Sequence, residues 1–197
     1  MEKLSKIKKL LILLGVFVAV FVILDFGYFW ANVKFFLYRP SSTLSVSVPV
    51  ANLKIQPNLL IIDSLGLQAP IQYPTTTGET AFQAALINGV VHYPGTANPG
   101  ELGNCYIFGH SSDYIWSKGH YKNVFAVLPQ IKKSSDIVIS DQQGNEFNYT
   151  VIASHEVATN DVSVLSQQNY QKKLLTLQTS YPVGTALARW IVVAEIK

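Results

Sequence analysis

Residues 10–24 read LLILLGVFVAVFVIL, apolar or glycine throughout, and Lys3, Lys6, Lys8 and Lys9 stand directly before them. No other feature constrains the fold as strongly, because so continuous an apolar run needs cover on every side, from lipid or from a core. A spanning helix takes about 20 residues, so this run reaches the required length by continuing past Asp25 through FGYFW, whose aromatics suit a membrane interface. A cleaved signal peptide would need a small-residue site after the apolar core, and DFGYFW offers none. Lysines on the N-terminal side place the start of the chain in the cytoplasm and everything after about residue 32 outside. The expected organisation is a basic tail at 1–9, a transmembrane anchor at 10–31, an extended linker at 32–56 and one domain at 57–197.

Composition narrows what that domain can be. The 197 residues are 49% hydrophobic and 14% charged, with no low-complexity tract or fixed repeat, so one globular core is expected. The formal charge of +3 comes with four of the 15 Lys and Arg placed ahead of the apolar run. The remainder is roughly neutral and lacks the basic stripe that nucleic acid requires. Cys105 is the single cysteine, so no internal disulfide forms. No H-x-x-x-H or C-x-x-C spacing occurs, and neither a metal nor a cofactor is expected.

Beyond residue 57, short apolar or alternating runs recur between turn signals, at 59–62, 69–72, 104–108, 137–140, 146–153, 174–179 and 188–196. Such spacing suits an all-β barrel or sandwich. The clearest hairpin is DIVISDQQGNEFNYTVIAS, whose loop offers Gly144 and Asn145 for positive φ. Three short helices are expected on the periphery, at 79–86, at 121–128 before Pro129, and at 163–173.

Three segments carry chemistry: ALINGVVHYPGTANPGELGNCYIFGHSSD, NVFAVLPQIKKSSDIVIS and LLTLQTSYPVGTALARWIVVAEI. Together they resemble the sortases, transpeptidases of bacterial surfaces, with motif wording similar to classes D and E. In that family a Gly-rich loop and strand end in Gly-His, a later strand ends in Thr-Leu-X-Thr-Cys, and an arginine follows on the next strand. Here Gly109-His110, Thr176-Leu177-Gln178-Thr179-Ser180 and Arg189 hold those places. The resemblance implies a closed β-barrel of about eight strands. It also implies catalytic roles for His110, Ser180 and Arg189, and substrate contacts for Thr176, Thr179 and Asp113. The polar stretch at 154–173 would cover the cleft and select the signal.

The implied reaction is attack on the Thr-Gly bond of a Leu-Pro-X-Thr-Gly-like sorting signal, with the acyl group passed to a cell-wall or pilin amine. Ser180 departs from the pattern, because the family nucleophile is a cysteine. A thiol near pKa 8.5 yields thiolate in an electropositive niche, whereas a hydroxyl needs a placed base. His110 serves as that base only if Asp113 orients it, as in a serine triad. Cys105 precedes His110 by an odd number of residues, so on a strand it points to the opposite face and belongs to the core. Two other readings stand beside this one: a sortase-shaped module that binds sorting peptides without cutting them, and an unrelated β-domain in which His110, Ser180 and Arg189 lie far apart.

Overall fold

Alternation decides most of the strands. In β2 (Leu67–Gln72), Leu67, Ala69 and Ile71 are buried while Gln68 is exposed, the two-residue period of a strand with one covered face. Apolar runs of strand length also form β1 (Leu59–Ile62), β4 (Gly103–Phe108), β5 (Asp136–Ser140), β6 (Glu146–Ala158), β7 (Lys173–Tyr181) and β8 (Ala188–Ile196), of which β4 is buried at every residue but Phe108 and shows no alternation. The sequence reading missed β3 (Val90–His92), whose three residues, all buried, are too few to show a run or an alternation. It begins after Gly89, where a Cβ would lie 2.0 Å from the carbonyl oxygen of Pro70; only glycine lets β3 approach β2.

The structure is a computed structural model that describes residues 2–24, 33, 37, 56–114, 116–167 and 171–197. The eight strands close a barrel in the order β1-β2-β3-β4-β7-β8-β6-β5. The pairs β2–β3 and β4–β7 are parallel and the others antiparallel. The barrel encloses one core that includes Leu60, Ile62, Ile107, Phe125, Ile137, Tyr149, Leu175 and Val192. Cys105 lies within it, as its spacing from His110 requires. Burial, with the charge of Glu101, pushes its thiol far above the ordinary range.

The β5–β6 hairpin forms at the expected place. Asp141 Oδ1 accepts the backbone N–H of Gln143 and of Asn145, each at 2.8 Å, and Gly144 takes φ 81.

Of the three expected helices, α2 (Glu79–Leu86) is the one present among the described residues. Residues 121–130 instead make successive i→i−3 turns, with Ala126 N–H on Asn123 O at 3.0 Å and Leu128 N–H on Phe125 O at 3.1 Å. An α-helix is blocked there because the Phe125 N–H is taken by the carbonyl of His110, 2.9 Å away, which seats Phe125 and Leu128 in the core. In the third segment the described residues hold a 3-10 turn, Ser163–Leu165, and Lys173 already belongs to β7 beside β4, while residues 168–170 fall outside the described residues.

At the N-terminus, α1 runs Glu2–Leu24, and its residues Leu10, Leu13 and Phe17 are exposed. Most of the expected continuation to residue 31, and nearly all of the 32–56 linker, fall outside the described residues. Among the described residues, no helix is long and apolar enough to cross a membrane.

Candidate active site

The parallel pairing of β4 with β7 brings distant residues into one row. Phe108, the last residue of β4, lies opposite Gln178, and Gly109 N–H donates to Gln178 O at 3.1 Å, so the segment carrying His110 leaves β4 alongside the end of β7 that carries Ser180. On the other side of β7, Ser180 is paired with Arg189 of β8. Ser180 and Arg189 are therefore cross-strand partners, and His110 lies on the neighbouring segment just past the end of β4. A β-domain with these residues scattered is excluded.

Backbone contacts fix His110. Gly109 donates to Gln178 O at 3.1 Å, and Thr179 Oγ1 donates to Gly109 O at 2.8 Å. A Cβ at Gly109 would come within 2.9 Å of the Phe125 ring, so the strand can pass this point only as glycine. Burial holds the His110 imidazole below its ordinary pKa, while the charge of Asp113 pulls the other way. The ring is thereby biased toward its neutral form, able to take a proton.

Alternation separates two faces. Leu175, Leu177 and Thr179 of β7 are buried toward the barrel, whereas Gln178 and Ser180 face the other side with Tyr106 of β4. Arg189 Nη1 lies 3.5 Å from Ser180 Oγ and donates to Ala188 O at 3.1 Å. Tyr106 donates to Gln178 Oε1 beside this row. Burial raises the Tyr106 phenol, and the nearby Arg189 charge opposes that rise. The sequence reading did not single out Tyr106 or Gln178, although stepping back in twos from His110 and Ser180 points to both.

The remaining expected contacts sit differently. Thr176 and Thr179 are buried with their hydroxyls committed, Thr176 Oγ1 to Asn104 Oδ1 at 2.8 Å and Thr179 to Gly109. These bonds tie β7 to β4 and its extension. Asp113 Oδ1 accepts from Tyr114 N–H at 2.7 Å and Ser117 Oγ at 2.8 Å, so it organises its own loop. A Gln167 latch was also missed by the sequence reading. Its side chain accepts from Ala97 and Asn104 N–H and donates to Asn104 and Leu165 carbonyls, pinning the β6–β7 connection against β4. Among the described residues, no group of His, Cys, Asp and Glu is arranged to hold a metal.

Residues 60–197 match the Sortase domain family. The chain belongs to the sortase family. Solved sortases share its fold. A sortase D5 transpeptidase from Clostridium perfringens is 27% identical, with 71% of this chain and 77% of that one covered at a TM-score of 0.57. Sortase A from Corynebacterium diphtheriae is 28% identical over 71% of this chain and 59% of that one, at 0.58. Sortase E from Streptomyces avermitilis is 25% identical over 72% and 88%, at 0.55. No curated protein sequence matches this sortase significantly.

Proposed function

We propose that this sortase cleaves a Leu-Pro-X-Thr-Gly-like sorting signal and transfers the acyl group to a cell-wall or pilin amine, in a form impaired by serine at the nucleophile position. The observation that supports the reading is the cross-strand pair Ser180 and Arg189 of β7 and β8, with the segment that carries His110 leaving β4 next to β7. Side chain 180 attacks the carbonyl of the scissile bond, Arg189 stabilises the oxygen as it gains charge, and His110 handles the proton. A cation beside residue 180 favours a thiolate, and it gives a hydroxyl no route to lose its proton.

Anchoring belongs to the same proposal. The exposed apolar side chains of α1 suit lipid, and the preceding lysines keep the N-terminus in the cytoplasm with the barrel outside.

Ser180→Cys on a Cys105→Ala background tests the reading, because any labelling then reports position 180. The substituted protein is expected to cleave the sorting peptide and to react with alkylators, and the unmodified chain to do neither. A substituted protein that folds and alkylates yet neither binds nor cuts any sorting peptide overturns it.

A second reading is a peptide-binding module without turnover. It is favoured by Ser180 Oγ having Arg189, and no base, as its side-chain partner among the described residues. Tight binding of sorting peptides without turnover in both the serine and the cysteine forms would select it.

A further inference from the structure

Beyond residue 56, the described large apolar side chains most open to solvent are Leu102, Tyr114, Trp116, Val162 and Leu187, at 65–78% exposure, and no other exceeds 39%. Four of the five stand on loops at the end of the barrel that carries Ser180. Tyr114 and Trp116 follow His110 by four and six residues, and their rings stack at 4.9 Å. Ala158 of β6, Ala188 of β8 and Tyr181 of β7 are paired in one row, next to the row of Arg189 and Ser180. Val162 follows Ala158 by four residues, and Leu187 directly precedes Ala188. Leu102 lies at the other end, just before β4 starts. The loops are braced: Gly184 N–H donates to Ser112 Oγ at 3.1 Å, tying the β7–β8 loop to the loop after His110. Asp113 and Asp161 accept from Ser117 Oγ and Ser163 Oγ within their own turns.

We propose that this end of the barrel docks onto a lipid bilayer, with Tyr114, Trp116, Val162 and Leu187 entering the headgroup region and the exposed Lys118 meeting anionic lipid. The inference rests on the anchor reading above, which supplies the tether.

The tether is what selects lipid as the occupant. A helix held in the bilayer keeps the barrel within a short reach of the surface, so a contact of four side chains, too weak between free molecules, becomes intramolecular. The residue types match the place, since Trp and Tyr settle at headgroup level and a lysine adds attraction to anionic lipid. Chain length allows it. Asn58 N–H donates to Asp141 O at 3.0 Å, so the chain enters the barrel beside the β5–β6 hairpin, and β6 runs from that hairpin to Ala158 at the Ser180 end. To bring that end to the bilayer, the connecting residues must pass the length of the barrel. The 13 residues of β6 measure roughly 40 Å, whereas residues 32–56 reach at most roughly 80 Å when fully extended. Docking turns the mouth of the site toward the membrane surface, and so restricts its donors to peptides held close to that surface.

The test uses the full chain carrying Cys105→Ala in vesicles of phosphatidylcholine and phosphatidylglycerol in equal parts. Leu187→Cys or Leu102→Cys provides the single attachment point for an environment-sensitive fluorophore, with doxyl-labelled lipid and aqueous iodide as quenchers. The label at 187 should be quenched several-fold more by doxyl lipid, and several-fold less by iodide, than the label at 102. Tyr114→Ser combined with Trp116→Ser should return the label at 187 to water without changing the melting temperature. Equal quenching at 187 and 102 in a chain that floats with the vesicles, or a label at 187 unmoved by the double substitution, overturns the docking and leaves the anchor standing. A chain that does not float with the vesicles overturns the anchor, and the docking with it. A label at 187 shielded from iodide yet unquenched by doxyl lipid, with energy transfer between copies, gives the surface to a second copy of the chain and overturns the lipid assignment.

Discussion

Arg189 and Ser180 face each other across β7 and β8, with Nη1 3.5 Å from Oγ and the guanidinium also donating to Ala188 O. A cation placed there by strand register acts on whatever atom occupies position 180. In the Ser180→Cys protein, Arg189→Met should lower sorting-peptide turnover by about 100-fold or more, the scale of losing an oxyanion donor. The alkylation rate at position 180 should also move to higher pH, because the thiolate loses its nearby charge. Arg189→Lys should recover much of the pH shift and little of the turnover, since an ammonium lacks the planar fork. Equal turnover in all three proteins would remove Arg189 from the mechanism.

The buried imidazoles set a pH dependence. Burial lowers the folded pKa of both His92 and His110. As pH falls below about 6.5 the unfolded chain takes up these protons before the folded one does, so stability declines; above that pH their full contribution is present. Denaturant titrations at pH 7.5 and 5.5 should show this loss, and His92→Gln should reduce it. In the Ser180→Cys protein, transfer should fall as His110 protonates, with an NMR midpoint for His110 below that of a free histidine.

Removing the Gln167 latch should loosen one wall of the site while leaving the barrel closed. Gln167→Ala leaves the backbone N–H groups of Ala97 and Asn104 without their side-chain acceptor, at a cost of about 1–3 kcal/mol. Hydrogen exchange should quicken at those two amides, and in the Ser180→Cys protein sorting-peptide KM should rise more than kcat falls. Unchanged exchange there would show that other contacts hold the connection.

Deletion of residues 1–38 removes the exposed apolar face of α1 and no strand of the barrel. The truncated protein should be soluble and monodisperse without detergent and melt cooperatively. Aggregation of a well-folded barrel would contradict the anchor.

How much of this was legible depended on whether the signal was local. Strands with one covered face announced themselves by alternation, and the β5–β6 hairpin by Asp141, Gly144 and Asn145. The β3 strand carries no alternation, and residues 121–128 read as helical because nothing nearby says that His110 O claims the Phe125 N–H. Wording alone named His110, Ser180 and Arg189, since each ends or begins a strand in a recognisable phrase. The committed hydroxyls of Thr176 and Thr179, the Gln167 latch and the gathering of Tyr114, Trp116, Val162 and Leu187 at one end arise from pairing between distant segments, which no short window of sequence contains.

The β4–β7 junction also sets when the site comes into being. Gly109 and Thr179 are 70 positions apart, and β5 and β6 between them pair with other strands. Joining the two ends needs a long loop to close before any contact rewards it, so the parallel seam belongs to the slow, late stage of assembly. A partly folded chain therefore holds no partial cleft, and the segment presenting His110 meets the strand presenting Ser180 only as the barrel seals. This couples quality control to chemistry: molecules that fail to complete the fold have no reactive centre to misuse.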